Sequence, residues 1–385
     1  MKIGIFTNNY FPNPYGVTQS IESFRKRFEK LGHEVFIFAP KWKDYKDENR
    51  RVFRYSSINT NIKFKFPLAI PYSKNLDKII ANLDLDIIHA QHPNLLGSAA
   101  MKWAREKKIP LVFTWHTLYD KYAHFAAVIP EKLATWWAIR NARNYANKAS
   151  CVVVPTQSMK EIIKKWGVTN KNIEAIFSGV EEETYQNADK QMIRNKLGVK
   201  DGEILLFLVS RLTSEKNVEF LFRSVMEVLK NNKNTKFLVV GDGYLSPRLK
   251  LMAEENNLKD RIFFAGIVDK KEIKHYYAAG DIFVYASKSE TQGMVVSEAL
   301  YMGLPIVAVS ATGICDLVRD KVNGFLTEEN ENEFIRAAEN LIGDANLRKK
   351  FGEDSAKVAR ENYTDKICAK KLLKVYKKAV NSYSK

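Results

Sequence analysis

Asp281-Ile-Phe-Val-Tyr285 is a short apolar run that reads as a buried strand. It leads into Ala286-Ser-Lys-Ser-Glu290-Thr-Gln-Gly293-Met-Val-Val-Ser-Glu298-Ala, a polar loop that passes into a helical pattern. Gly303-Leu-Pro305 breaks that pattern, and Ile306-Val-Ala-Val309 supplies a second strand. Strand, helix and strand in this order form one repeat of a parallel sheet. The loop delivers one carboxylate, Glu290, and the helix opening near Gly293 carries another, Glu298. A helix N-terminus has unpaired N–H groups and a partial positive charge, which suit phosphates and sugar oxygens. A carboxylate about a turn and a half inside can accept from ribose hydroxyls. The stretch reads as a site for a nucleotide that carries a sugar.

The same alternation extends in both directions. Strands are predicted at Lys2–Thr7, Val35–Ala39, Ile87–Ala90, Leu111–Trp115 and Cys151–Val154 in the first half. The second half has Ile204–Val209, Phe237–Val240, Ile262–Ala265, Ile282–Tyr285 and Ile306–Val309, with helical patterns between. This is an α/β chain of two doubly wound domains, as its 385 residues also suggest. The polar stretch from Ser178 to Asn187 puts the boundary near 180–200. The reading is a first domain over 1–185, a second over 186–363, and a final helix over 364–385 that crosses back to the first. Ligands bind beyond the carboxyl ends of strands in such sheets, so two facing domains would form a cleft there.

Composition excludes several classes. With 45% hydrophobic and 27% charged residues the chain is an ordinary globular protein. No apolar run approaches the roughly 20 residues of a membrane span, and Met1-Lys-Ile-Gly-Ile-Phe-Thr lacks the pattern of a signal peptide. Cys151, Cys315 and Cys368 are scattered and odd in number, which fits a reducing cytoplasm. The net charge of +17 implies an anionic partner: nucleic acid, a membrane face or a phosphorylated substrate. Residues 1–185 hold 28 Lys and Arg against 17 Asp and Glu, and the remainder 33 against 27.

Other motifs follow strands. Thr7-Asn-Asn-Tyr-Phe-Pro-Asn-Pro-Tyr-Gly16 precedes a helix, and Gly16 allows close backbone approach to a ligand; it also suits an ordinary turn. In Ser210-Arg211-Leu-Thr-Ser-Glu-Lys216, Arg211 offers a planar fork and Lys216 a point charge, both able to hold a diphosphate. Gly241-Asp-Gly243 reads as a simple turn, with a place near the nucleotide as the alternative, while Phe264-Ala-Gly266 could offer backbone groups to a base edge. His116 follows the Leu111–Trp115 strand, where imidazole can donate to a sugar hydroxyl or phosphate; the plainer reading is a packing histidine. His89 and His92 read as structural or acceptor-side groups rather than metal ligands. Asp84-Leu-Asp86 precedes a strand instead of following one, so it points away from any ligand.

Two stretches mix bases with aromatics: Arg50 to Tyr72, and Lys132 to Tyr145 with Trp136 and Trp137. Such surfaces suit the edge of an anionic bilayer. The competing reading makes the tryptophans core and the bases solvated.

Taken together, these residues resemble glycosyltransferase family 4, retaining enzymes of the GT-B fold with two facing Rossmann-like domains and an interdomain cleft. Glu290 and Glu298 match that family's E-x7-E pair, Arg211 and Lys216 its R-x4-K pair, Gly16 its early glycine loop, and His116 its first-domain histidine. The resemblance implies Glu298 on the ribose, Arg211 and Lys216 on the diphosphate, and Glu290 on the donor sugar. It places the N–H groups of Gly293, Met294 and Val295 nearby and gives His116 a part in positioning donor and acceptor. Many members have two glycines where this chain has Tyr15-Gly16, and an aromatic where it has Gln292. Gln292, with Thr114-Trp-His-Thr-Leu-Tyr119-Asp120-Lys-Tyr122, looks like the bacterial branch that glucosylates diacylglycerol, which marks Tyr119, Asp120 and Tyr122 as acceptor-side residues.

The resemblance implies hexose transfer, with UDP-glucose as donor and a lipid hydroxyl as acceptor. It implies no metal and no cofactor beyond that co-substrate. It also implies a cytoplasmic enzyme, peripheral on the inner face of the cell membrane and not bound to nucleic acid. Three alternatives remain open: a soluble acceptor, a nucleotide-sugar epimerase, and a nucleic-acid-binding protein suggested by charge alone.

Overall fold

A computed structural model of the chain describes residues 1–13, 16–59, 67–122 and 130–383, the side chains of Asn59, Lys121 and Tyr122 excepted. The chain divides into two compact units, Met1–Gly179 with Asp365–Lys385, and Val180–Thr364.

The first unit begins with β1 (Lys2–Phe6), α1 (Gly16–Lys30), β2 (Glu34–Pro40) and β3 (Val52–Tyr55), then a hairpin of β4 (Ser57–Asn59) and β5 (Pro67–Ala69). It continues through α2 (Lys74–Asn82), β6 (Ile87–Ala90), α3 (Leu96–Glu106), β7 (Leu111–Thr114) and the short α4 (Tyr119–Tyr122). It closes this stretch with α5 (Glu131–Lys148), β8 (Cys151–Val154), α6 (Gln157–Lys165) and β9 (Ile173–Ala175). The seven-stranded sheet runs in the order β3-β2-β1-β6-β7-β8-β9, and every pairing in it is parallel. A strand exposes alternate residues to opposite faces. Phe6, Phe36 and Phe38 accordingly pack with α2, α3, α5 and α6, while Ile3, Ile5, Val35 and Ile37 pack with α1 on the other face.

The second unit opens on a 3-10 turn, Glu182–Tyr185, followed by α7 (Lys190–Lys196), β10 (Ile204–Val209), α8 (Val218–Asn231) and β11 (Thr235–Val240). Next come α9 (Ser246–Glu255), β12 (Ile262–Gly266), α10 (Ile273–Ala279), β13 (Ile282–Tyr285), α11 (Met294–Tyr301) and β14 (Ile306–Val309). β15 (Gly324–Thr327), α12 (Glu331–Gly343) and α13 (Ala345–Asn362) complete it. Its six strands lie in the order β12-β11-β10-β13-β14-β15, again all parallel. The second unit starts ahead of the boundary at 185 read from sequence. Val180 donates to the Tyr363 carbonyl at 2.8 Å, and Tyr185 packs on Tyr277 with ring centroids 5.7 Å apart.

The last helix, α14 (Asp365–Tyr383), belongs to the first unit. Cys368, Ala369, Leu372, Leu373 and Tyr376 join the Ile3–Ile37 core, and Arg27 of α1 holds Asp365 at 2.6 and 3.0 Å. Each large apolar side chain buried this way contributes about 1.5–3 kcal/mol.

Five strands were not foreseen. β3, β9 and β15 are sheet edges, and β4 and β5 form the separate hairpin. Edge strands are short and only half-covered, so they lack the continuous apolar run that marks an inner parallel strand.

Candidate active site

In the second unit the loops after β10 and β13 meet. The chain leaves β10 at Val209, turns through a 3-10 segment at Ser214–Lys216, and enters α8 from Asn217, whose φ of 54° is left-handed. This turn aims Lys216 at the β13 loop, where its Nζ lies 2.5 Å from Glu290 Oε1. The same oxygen accepts from Tyr285 Oη at 2.7 Å and Ser287 Oγ at 2.9 Å. Both partners are mostly enclosed, with side chains 12% and 14% exposed. Burial pushes the Glu290 carboxyl up, but the charge of Lys216 and the three hydrogen bonds outweigh it and hold the acid below its ordinary value. Arg211, on the same loop, is exposed and pairs with Glu215 at 3.2 Å.

Further contacts brace these loops. Ser289 Oγ donates to the Glu215 carbonyl at 3.2 Å. Glu329 accepts from Asn217 at 2.8 Å and Lys288 at 2.6 Å, so one carboxylate ties the two loops to the segment after β15. The glycines after β11 serve packing: a Cβ on Gly241 would lie 1.9 Å from the Ser210 carbonyl oxygen, and one on Gly243 would lie 2.3 Å from that of Leu212. The Gly241-Asp-Gly243 turn is thus the surface on which the Arg211 loop rests. Beyond β12, Ile267 follows Gly266 and is 85% exposed.

Gly293 caps α11 with a φ of 81°, and a Cβ there would meet Ile314 Cδ1 at 2.7 Å. Met294 and Val295 supply the first helical N–H groups, which have no partner within a helix. Glu298 is the fifth residue of α11. Tyr277 Oη donates to it at 2.7 Å, and Tyr185 bonds it as well. Burial raises the Glu298 acid above its ordinary value, a rise that the two tyrosines and the charge of Lys270 reduce but do not cancel. One carboxylate is therefore tuned down and the other up.

The first unit carries the histidines. His116 Nε2 donates to Gln91 Oε1 at 2.7 Å, which leaves Nδ1 as an acceptor. Its ring centroid lies 6.4 Å from that of His92, which accepts from the Asn8 backbone at 3.1 Å. His89 bridges Thr114 at 2.6 Å and Tyr376 of α14 at 2.5 Å. Burial, with neighbouring histidines, pushes His116 down to about 3; burial takes His92 to about 4 and His89 to about 3. All three are neutral at physiological pH. Among the described residues no cluster of His, Cys, Asp or Glu is arranged to hold a metal ion.

Gly16 opens α1, whose first turn has no acidic residue. The loop before it is anchored by buried Tyr10, bonded to Glu22, and by Arg54, which donates to the Phe11 carbonyl at 2.8 Å. Tyr119 is half-buried against Trp115, with centroids 5.7 Å apart, and Asp120 is exposed. The Tyr122 side chain and residues 60–66 of the first basic stretch lie outside the described residues. Within that stretch Arg51 pairs with Glu34 and Arg54 with Asp47, so they serve the sheet edge. Trp136 and Trp137 of α5 are not core: they are 54% and 58% exposed, and Arg140 lies over the Trp136 ring. Asp86 accepts from the Lys2 backbone at 2.7 Å, at the amino end of β1. No helix among the described residues is long and apolar enough to cross a membrane.

Sequence reading missed Tyr285, Ser287, Tyr277, Tyr185, Gln91 and Glu329. Tyr285 and Ser287 lie inside the quoted stretch and could have been taken as donors to Glu290. The other four come from distant segments and carry no local signal.

The family model described as Glycosyltransferase Family 4 matches residues 14–184, and that described as Glycosyl transferases group 1 matches residues 189–358. An alpha-monoglucosyldiacylglycerol synthase of Streptococcus pneumoniae is 30% identical over 381 residues, covering 95% of this chain and 84% of that protein. An alpha-monoglucosyldiacylglycerol synthase of Acholeplasma laidlawii is 26% identical over 400 residues, covering 100% and 99%. Among solved structures, Anabaena HepE in complex with UDP and glucose superposes with a TM-score of 0.78 at 20% identity, over 98% of this chain and 100% of that one. The two Rossmann-like parallel sheets are those of the GT-B fold. The chain belongs to glycosyltransferase family 4.

Proposed function

We propose that this glycosyltransferase moves glucose from UDP-glucose to a lipid hydroxyl such as that of diacylglycerol, with retention at the anomeric carbon. The Lys216–Glu290 contact carries the reading, because it holds a cation for phosphate beside an ionised carboxylate for sugar hydroxyls. Arg211 and Lys216 neutralise the diphosphate as the C1–O bond breaks. Glu298 accepts from the ribose, and the N–H groups of Gly293, Met294 and Val295 face the donor. Preorganised charge of this kind supplies much of the rate in enzymes that develop charge on a leaving group. The new C1–O bond forms on the face the phosphate leaves, and the acceptor proton passes to the departing phosphate oxygen. No separate protein base is needed, and no metal is needed where two cationic side chains meet the diphosphate.

His116, neutral and fixed by Gln91, positions the donor sugar and the acceptor, with Tyr119, Asp120 and Tyr122 on the acceptor side, while Gly16 lets the backbone approach the donor closely. Leu133, Trp136 and Trp137 of α5 are exposed beside Arg140, an arrangement that suits the headgroup region of an anionic membrane. The enzyme then works as a peripheral protein on the inner face of the cell membrane. The names of the two synthases support the lipid acceptor.

The test is a transfer assay with radiolabelled UDP-glucose and diacylglycerol in liposomes, with and without anionic lipid. Label in the lipid phase, increased by anionic lipid, is the expected result. Free glucose alone would reject diacylglycerol as acceptor.

A further inference from the structure

Charge is divided very unevenly between the units. The first, residues 1–179 with 365–385, has 35 Lys and Arg against 15 Asp and Glu; the second, residues 180–364, has 26 against 29. The whole net charge of +17 therefore originates in the first unit.

One helix concentrates it. α14 carries Lys366, Lys370, Lys371, Lys374, Lys377 and Lys378, and its single acid, Asp365, is buried and bound to Arg27 at 2.6 Å. At 3.6 residues per turn the six lysines fall within an arc of about 140°. Cys368, Leu372, Val375, Tyr376 and Ala379 fill the opposite arc and are buried. All six lysines are exposed, and among the described residues none forms an ion pair. Lys366, Lys370, Lys374 and Lys378 follow one another at spacings of four, where like charges repel. Several lysines of the second unit are compensated, as Lys190 is by Asp281, Lys236 by Glu203 and Lys288 by Glu329. An uncompensated stripe on a helix whose apolar side is committed to the core offers a flat cationic face to a surface of opposite charge.

We propose that this lysine stripe is an electrostatic docking surface for an anionic phospholipid bilayer. The choice of a bilayer over other polyanions rests on the lipid-acceptor reading above and on the opposite charge of its headgroups. The stripe is a separate surface from that of Trp136 and Trp137, because α14 packs on one face of the sheet and α5 on the other.

The experiment measures binding of the full chain to vesicles of phosphatidylcholine with and without phosphatidylglycerol, and to a DNA oligonucleotide. Each phosphate-facing lysine contributes about fivefold near an anionic surface, so K370Q/K374Q/K377Q should weaken binding to the anionic vesicles on the order of 100-fold. The matched control K196Q/K233Q/K350Q removes three exposed lysines of the second unit and should leave binding within a few-fold. Equal losses in both would reduce the effect to net charge and overturn the stripe, as would no loss in either. Unchanged vesicle binding with loss of oligonucleotide binding would replace the bilayer with nucleic acid. Thermal melting of both triple variants should match the parent, which shows that they fold. Transfer to a short-chain diacylglycerol in neutral detergent should also survive in the stripe variant. If the parent transfers nothing in any format while the stripe variant still loses vesicles, the proposed reaction fails and the docking surface stands.

Discussion

Lys216 Nζ lies 2.5 Å from Glu290 Oε1, across 74 residues of chain, and this contact joins the loops after two neighbouring strands. Its ionised form is favoured from the carboxylate side by Tyr285 and Ser287 as well. The pair is thus a fixed dipole, with its cation available to phosphate and its anion anchored by neutral donors.

Replacing Lys216 with alanine should lower kcat by about 10²–10³-fold, the usual effect of removing one group that meets developing charge, with a smaller change in KM. It also strands a mostly enclosed carboxylate, which costs about 1–3 kcal/mol. K216A/E290Q should recover part of that stability and none of the activity. Steady-state kinetics and thermal denaturation on the three proteins check both statements.

Glu298 should show the opposite linkage. Its folded value lies above the unfolded one, so the stabilisation belongs to the protonated form and is lost as pH rises through the folded value. E298Q should therefore melt higher than the parent at neutral pH while losing donor affinity. In the parent, donor KM should rise on acidification as Glu298 protonates, before Glu290 does. Y277F removes a hydrogen bond that favours the charged form, so its KM should begin to rise at a higher pH.

Gly293 is held at a φ of 81° with Ile314 in the space of a side chain. G293A should cost about 1–3 kcal/mol from backbone strain, with further loss from the clash. It should weaken UDP binding, because Met294 and Val295 move with it. Isothermal titration with UDP and a melting curve measure the two effects.

Trp136 and Trp137 contribute little to the core, so W136A/W137A should melt within about 1 kcal/mol of the parent, as surface changes usually do. Partitioning onto diacylglycerol-containing vesicles should fall at least tenfold, as measured by sedimentation at constant salt. Retained partitioning would remove α5 from the membrane surface.

Inner strands, the Glu290 loop and the helix carrying Glu298 were legible because each is local. A run of apolar residues, a glycine at a turn and a carboxylate one and a half turns on are written within a few tens of positions. The edge strands β3, β9 and β15 were not, since half-covered strands need no continuous apolar pattern. Tyr185 and Tyr277 were also invisible: they meet Glu298 from segments 113 and 21 residues away, and nothing in either segment marks a hydroxyl as a donor. Trp136 and Trp137 admitted both a core and a surface reading, because α5 turns its alanines and Tyr145 inward instead.

α14 follows the second unit along the chain, yet it completes the first. Until residues 365–383 are synthesised, Ile3, Ile5, Ile37 and Phe28 lack the part of their cover that Cys368, Leu372 and Tyr376 supply. The 185 residues of the second unit intervene, about 9–37 s of translation at ordinary speed. The second unit is continuous and can close on itself in that interval. The first must wait with α1 alone on that sheet face and the ground that α14 will cover still open to solvent.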